Sequence, residues 1–219
     1  MKPLRQIVYS IKEFISGFNI MDDNLLDDIL IAHKVDDVRS TLIGQEYLAG
    51  HRLNDLYYQN ITLAIEPFDT AKKDVFNVMF PEHERVVFPE VLTGIHWANI
   101  KYLGSLDFKF PFNRVSLDGF TYSDYRRWSS AMPNYFVLGH DTAILRGDFK
   151  GQYLLMVAIF KSPTELPQRS WDDIYPAPNP FKLEMIVKQD IAAGLGIRPD
   201  EINDARQTTG TVEQQKRTR

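Results

Sequence analysis

The sequence predicts an α+β protein. An N-terminal helical hairpin and a C-terminal helix form one α domain, a central domain is mainly antiparallel β, and the C-terminal tail is disordered. Three observations carry this reading. Apolar residues recur every three or four positions in the opening stretch and again after Phe181. The stretch between holds short alternating or continuous apolar runs punctuated by Gly and Pro, the pattern of strands. From Asn203 to Arg219, Val212 is the only aliphatic residue larger than Ala, so burial cannot offset the entropy of ordering that segment.

Each element has its own justification. Pro3 suits a first helical turn, and Leu4, Ile7, Val8, Ile11, Phe14 and Ile15 form one helix face that ends at Gly17 and Asn19. Asp22 and Asp23 then favour the positive end of a second helix, predicted from Asn24 to Leu48. Its buried side is marked by Leu25, Ile29, Ile31, Ala32, Val35, Val38 and Leu42. Gly50 closes the hairpin. Strands are predicted at Tyr57–Ile65 and Ile95–Leu103, with Phe76–Pro89 irregular and a short helix over Ser123–Trp128. Tyr135–Leu138 and Thr142–Arg146 form a hairpin about Gly139–Asp141. Tyr153–Phe160 is a buried strand. A Pro-rich link leads to the last helix, Phe181 to Leu195, with Pro178 and Pro180 before it and Gly194 and Gly196 at its end. The domains are therefore a hairpin (1–50), a β-rich body (51–165), a link and final helix packing with the hairpin (166–198), and a polar tail (199–219).

Composition narrows the function. Hydrophobic residues make up 44% and charged residues 25%, an ordinary globular balance. Aromatics reach 12%, with 14 Phe and 10 Tyr, which suits a chain that buries surface once on folding and again on assembly. The net charge of −4 argues against a dedicated nucleic-acid binder, which needs a basic stripe. A wall that DNA slides past stays compatible with it. The absence of cysteine excludes disulfides, thiol nucleophiles and thiolate metal sites. The longest apolar run, Tyr153 to Phe160, is too short to span a bilayer, so a soluble protein made in the cytoplasm is expected.

Catalytic machinery is not evident. No phosphate-binding Gly-rich loop, G-x-S-x-G or H-E-x-x-H occurs, and His33, His51, His83, His96 and His140 have no ligand spacing. His140 and Asp141 read as a polar hairpin tip. The acidic cluster Asp22, Asp23, Asp27 and Asp28 lacks the alternation and glycine of a calcium loop, and reads as a solvated helix start. A small enzyme, for instance a nuclease using Asp22, Asp27 and a divalent cation, is one rival reading. Tyr122, Tyr125, Arg126, Arg127 and Trp128 mix rings with positive charge and form the candidate contact of the middle domain. A monomeric binding module using that segment is the other rival. In the tail, Asn203, Asp204 and Arg206 are candidates for ordering on a neighbouring protein.

Four regions in order resemble a known family. They are Leu4–Tyr9 with Ile11-Lys12-Glu13, the Asp-rich turn and the long helix; Ile100–Asp107 with Pro111-Phe112; Tyr135-Phe136 and Ala158-Ile159-Phe160 before Ser162-Pro163; and Tyr175-Pro176-Ala177-Pro178, the final helix, Pro199-Asp200 and Asn203-Asp204. Together they resemble a neck structural protein of crAss-like phages, variously described as a virion structural, stabilisation or ring protein. Thr93 to Asn99 departs from it by lacking basic character. The resemblance implies a non-enzymatic subunit of a ring at the head-to-tail connector, in about twelve copies to match a portal. It implies no cofactor and no metal. Its partners would be its own copies, the portal protein, and adjacent ring or tail proteins, with a passing contact to genomic DNA in the channel and none to membrane. It would be made in the host bacterial cytoplasm and reside in the virion neck.

Overall fold

The computed structural model describes residues 2–17, 27–66, 83–121, 133–147, 149, 151–167 and 169–197. Among these the elements run α1 (Leu4–Ser16), α2 (Asp28–Leu48), β1 (Gln59–Ala64), β2 (Glu84–Val87), β3 (Ile100–Gly104), β4 (Asn113–Arg114), α3 (Leu117–Thr121), β5 (Asn134–Leu138), β6 (Thr142–Arg146), β7 (Tyr153–Ala158) and α4 (Pro180–Gly194). The fold is α+β, and the chain divides into two compact units, Met1–Leu53 with Arg169–Arg219, and Asn54–Gln168.

The first unit is helical. α1 buries Leu4, Ile7, Val8, Ile11 and Ile15, the face its three-and-four spacing dictates. α2 starts where the Asp27 side chain accepts a hydrogen bond from the Ile29 amide at 3.2 Å, an N-cap that satisfies one of the orphan donors of the first turn. It buries Ile31, Ala32, Val35, Val38, Leu42 and Ile43. Ile29, expected on that face, is exposed, and so is Leu30. Two residues advance a helix by more than half a turn, so once Ile31 faces the core Ile29 cannot. α4 is capped by Asn179, whose side chain accepts from the Lys182 amide at 3.0 Å. Its Leu183 and Val187 join α1, α2, Tyr175 and Ala177 in one core. The segment before α4 is stitched to the chain start. Arg5 N–H donates to the Trp171 carbonyl at 3.0 Å and Tyr175 N–H to the Lys2 carbonyl at 3.1 Å.

The second unit packs two sheets about one core. The three-stranded sheet has the order β1-β7-β3, and the four-stranded sheet β2-β6-β5-β4. All neighbours are antiparallel except the two-residue pair β4 and β5. Ile61, Leu63, Leu154, Met156, Ala158 and Leu103 from the first sheet meet Val86, Tyr135, Ala143 and Leu145 from the second, as alternation on packed inner faces requires. On its other face the four-stranded sheet carries Ile144 and Phe136 against Phe120 of α3. The β5–β6 hairpin turns at Gly139, whose φ of 68° suits glycine.

Two expectations change here. Glu84–Val87, read as irregular, is a strand because β6 supplies its partner. The strand expected from Ile95 begins only at Ile100, since Thr93–Ala98 coils into a 3-10 turn that buries Ile95 completely. The helix expected over Ser123–Trp128 lies outside the described residues, as does the 199–219 tail, and a short helix, α3, precedes that segment.

Candidate functional site

The ionisable groups buried in the helical unit are engaged in holding it together. Arg39, fully buried, donates from Nε to the Pro176 carbonyl at 2.7 Å. The Tyr175 hydroxyl donates to Asp36, three residues before Arg39 on α2. Burial, reinforced by the adjacent Asp36, pushes the Tyr175 phenol well above its ordinary value, so it stays a neutral donor. Burial also depresses the nearby Arg169, opposed by Asp173, Tyr175 and Asp36.

A second network joins α1 to α4. Glu184 accepts from Lys2 Nζ at 2.8 Å, from Lys188 Nζ at 2.9 Å and from the Ser10 hydroxyl, while Lys188 Nζ also lies 2.8 Å from Ser10 Oγ. Burial opposes the charged form of Glu184, but these hydrogen bonds outweigh it and hold the carboxyl below its ordinary value. The serine proton therefore points at a carboxylate already clamped between two ammonium groups. That arrangement suits a helix tie and not an activated nucleophile, which needs a free base beside it.

The surface of the β unit offers something different. After β3 the chain makes a tight loop, 105–110, that displays Leu106, Phe108 and Phe110, each more than half exposed. The loop is fixed by its own hydrogen bonds. Ser105 N–H donates to the Phe110 carbonyl at 3.0 Å, Phe110 N–H to Ser105 Oγ at 2.9 Å, and Ser105 Oγ to Asp107 at 2.6 Å. Phe108 has φ 60°, a left-handed conformation that a bulky residue adopts only when its surroundings impose it. Its ring rests on Tyr102, centroids 4.9 Å apart. Gly104 is required beneath the loop, because a Cβ there would strike the Phe110 carbonyl and the Tyr102 ring.

This loop borders the outer face of the three-stranded sheet. Register pairs Ala64 with Tyr153, Thr62 with Leu155, and Val157 with both Asn60 and Tyr102, so these side chains share one face. A solvated face of an antiparallel sheet is ordinarily polar, yet β7 contributes Tyr153, Leu155 and Val157. The charges nearby are compensated. Lys101 pairs with Asp55 at 2.7 Å, and Lys109 with Asp107 at 3.3 Å. Hydrogen bonds from Ser105 and the Lys109 amide hold Asp107 below the usual carboxylate range.

The residues singled out from the sequence, Tyr122, Tyr125, Arg126, Arg127, Trp128, Asn203, Asp204 and Arg206, lie outside the described residues, as do Asp22 and Asp23. Asp27 caps α2 and Asp28 pairs with Lys12. His140 and Asp141 form the exposed tip of the β5–β6 hairpin. Among the described residues no three His, Asp or Glu side chains gather as a metal site, and no helix is long and apolar enough to cross a membrane. Sequence reasoning missed the loop. Its signal is the alternation Leu106, Phe108, Phe110, Phe112 directly after the strand predicted at Ile95–Leu103. No protein-family model matches the chain. No curated protein matches it either.

Proposed function

We propose that this chain is a non-enzymatic structural subunit that works by association, one copy in a ring of the phage virion neck between the portal and the next ring or tail protein. The ring would hold about twelve copies, set by the symmetry of the portal it joins. The observation that carries the reading is the 105–110 loop, a rigid wedge presenting Leu106, Phe108 and Phe110 to solvent. Rings held outside a core in a fixed geometry lose little entropy on docking, which is how anchor residues of interfaces behave. The resemblance in sequence supplies the setting. The polar tail and the Tyr122–Trp128 segment remain candidate contacts with the portal and its neighbours.

The test is reconstitution. The purified full-length chain is mixed with the assembled portal of the same phage and imaged by negative stain. A ring of added density on the portal axis is the expected result. A chain that ignores the portal, and instead binds a divalent cation tightly or cleaves nucleic acid, would overturn the proposal.

A further inference from the structure

We infer that the open edge of β1 receives an added strand, supplied by the 198–219 tail of a neighbouring copy. The inference rests on the ring reading and names the contact within it.

The ladder defines the receiver. Ile65 N–H donates to the Gln152 carbonyl at 3.0 Å, in register with the pairing of β1 and β7. Gln59, Ile61 and Leu63 therefore turn their backbone groups to β7, and Asn60, Thr62 and Ala64 turn theirs outward. Among the described residues no backbone group bonds those outward donors and acceptors. The other edges are crossed or short. Phe112 N–H donates to the Leu103 carbonyl at 2.8 Å, which closes β3. Arg85 of β2 exchanges both backbone bonds with Glu66, at 2.8 and 3.1 Å, and β4 has two residues. An exposed edge is ordinarily blunted by Lys, Pro or a bulge. Gln59–Ala64 carries no charge and no Pro, and its register with β7 runs unbroken. Such an edge is the receiving half of strand addition.

The tail has the properties of the donor. α4 ends in a Schellman cap, with Ile197 N–H donating to the Ala192 carbonyl at 3.0 Å and Gly196 N–H, at φ 75°, to Ala193 at 3.1 Å. Pro199 cannot continue that helix. Beyond it the sequence holds no further Pro and gathers Thr208, Thr209, Thr211 and Val212, the β-branched residues that strands favour. Laid beside β1, Thr209 and Thr211 share the polar face of Asn60 and Thr62, and Val212 takes the face of Ile61 and Leu63. At about 3.3 Å per residue the tail spans about 70 Å, about twice the width of a compact unit of this size. Asp200, Glu201, Asp204 and Glu213 nearly balance its basic residues, so it is no polycation for DNA.

Ring geometry selects the copy. The tail leaves the helical unit and β1 belongs to the β unit, so donor and receiver are separate surfaces, as a head-to-tail contact demands. Pairing of β1 with β1 of a second copy would close on a two-fold axis and stop there.

The chain has no cysteine, so introduced cysteines report the pairing directly. Thr62→Cys and Thr211→Cys are made as separate full-length variants, one of them tagged, then mixed, assembled on the portal and treated with a short bis-maleimide. Mixed Thr62→Cys/Thr211→Cys dimers are expected. In the wild type, the 59–64 segment should gain protection from hydrogen exchange on assembly. Asn60→Lys with Ala64→Lys, both at exposed positions, should keep the wild-type melting temperature while assembly weakens about tenfold or more. If copies assemble and the mixed link is absent, or Thr62→Cys links only to itself, or exchange at 59–64 is unchanged, the strand exchange is wrong while the ring stands. If wild-type copies fail to assemble even on the portal, the ring reading falls and the exchange with it.

Discussion

Arg39 Nε reaches the carbonyl oxygen of Pro176 across 2.7 Å, joining residues 137 positions apart inside the helical unit. With Tyr175 bonded to Asp36, this fixes the segment before α4 against α2 at two points one helical turn apart. A buried guanidinium is expensive to desolvate and is retained where its partners are in place. Arg39→Leu would leave the Pro176 carbonyl without this donor. The expected loss is about 3 kcal/mol, read as a lower denaturation midpoint with an unchanged slope. A change below about 0.5 kcal/mol would show the bond to be dispensable.

Tyr175 gives the helical unit an alkaline limit. Its folded value lies well above its ordinary one, first through burial and then through Asp36. A raised value means that the contribution is complete below the unfolded value, about pH 10, and is lost as pH rises through the folded one. In the β unit, burial pushes Tyr135 up to about 12 against the opposing Arg114, with the same sign. Tyr175→Phe should cost about 1–3 kcal/mol at neutral pH and make the alkaline decline of the helical unit shallower. Identical alkaline slopes in the two proteins would remove Tyr175 from the explanation.

Glu184 sets the acid limit by the opposite sign. Its value is lowered in the fold because hydrogen bonds from Lys2, Ser10 and Lys188 outweigh burial. Its contribution is therefore present above the ordinary carboxylate value, near pH 4.3, and is lost as pH falls through the folded one. Glu184→Gln should lower stability at pH 7 and flatten the acid limb of the stability curve. Equal acid limbs in wild type and variant would assign the acid transition to other carboxylates.

Ile11 lies in the centre of the three-helix core with no solvent exposure. Ile11→Asp buries an unpaired carboxylate and should cost about 4 kcal/mol or more, enough to unfold the helical unit as followed by far-UV circular dichroism. Tyr9→Asp, on the same helix but 69% exposed, should be tolerated. A folded Ile11→Asp protein would contradict the packing described here.

The elements legible in the sequence are those whose information is local. α1 shows its face in its spacing, α4 shows Pro before it and Gly after it, and the β5–β6 hairpin shows its Gly turn. β2 was not legible, because Glu84-Arg85-Val86-Val87 is short and half charged and becomes a strand only through β6. Ile95 reads as strand by composition, yet it is buried by a turn. Arg39 and Asp36 look like surface residues of a helix until Tyr175 and Pro176 arrive from the far end of the chain. The 105–110 loop was hidden for a different reason: its alternating apolar residues read equally well as buried, and only the fold reveals which of them stay outside.

The central claim is that this polypeptide is built to be buried against its own copies and the portal. The most direct measurement is its position in a reconstruction of the phage particle. The account predicts a closed ring of this fold on the axis below the portal, with the 105–110 loop of each copy buried against a neighbouring protein. Particles that lack the chain, or that carry it as isolated copies with the loop facing solvent, would contradict it.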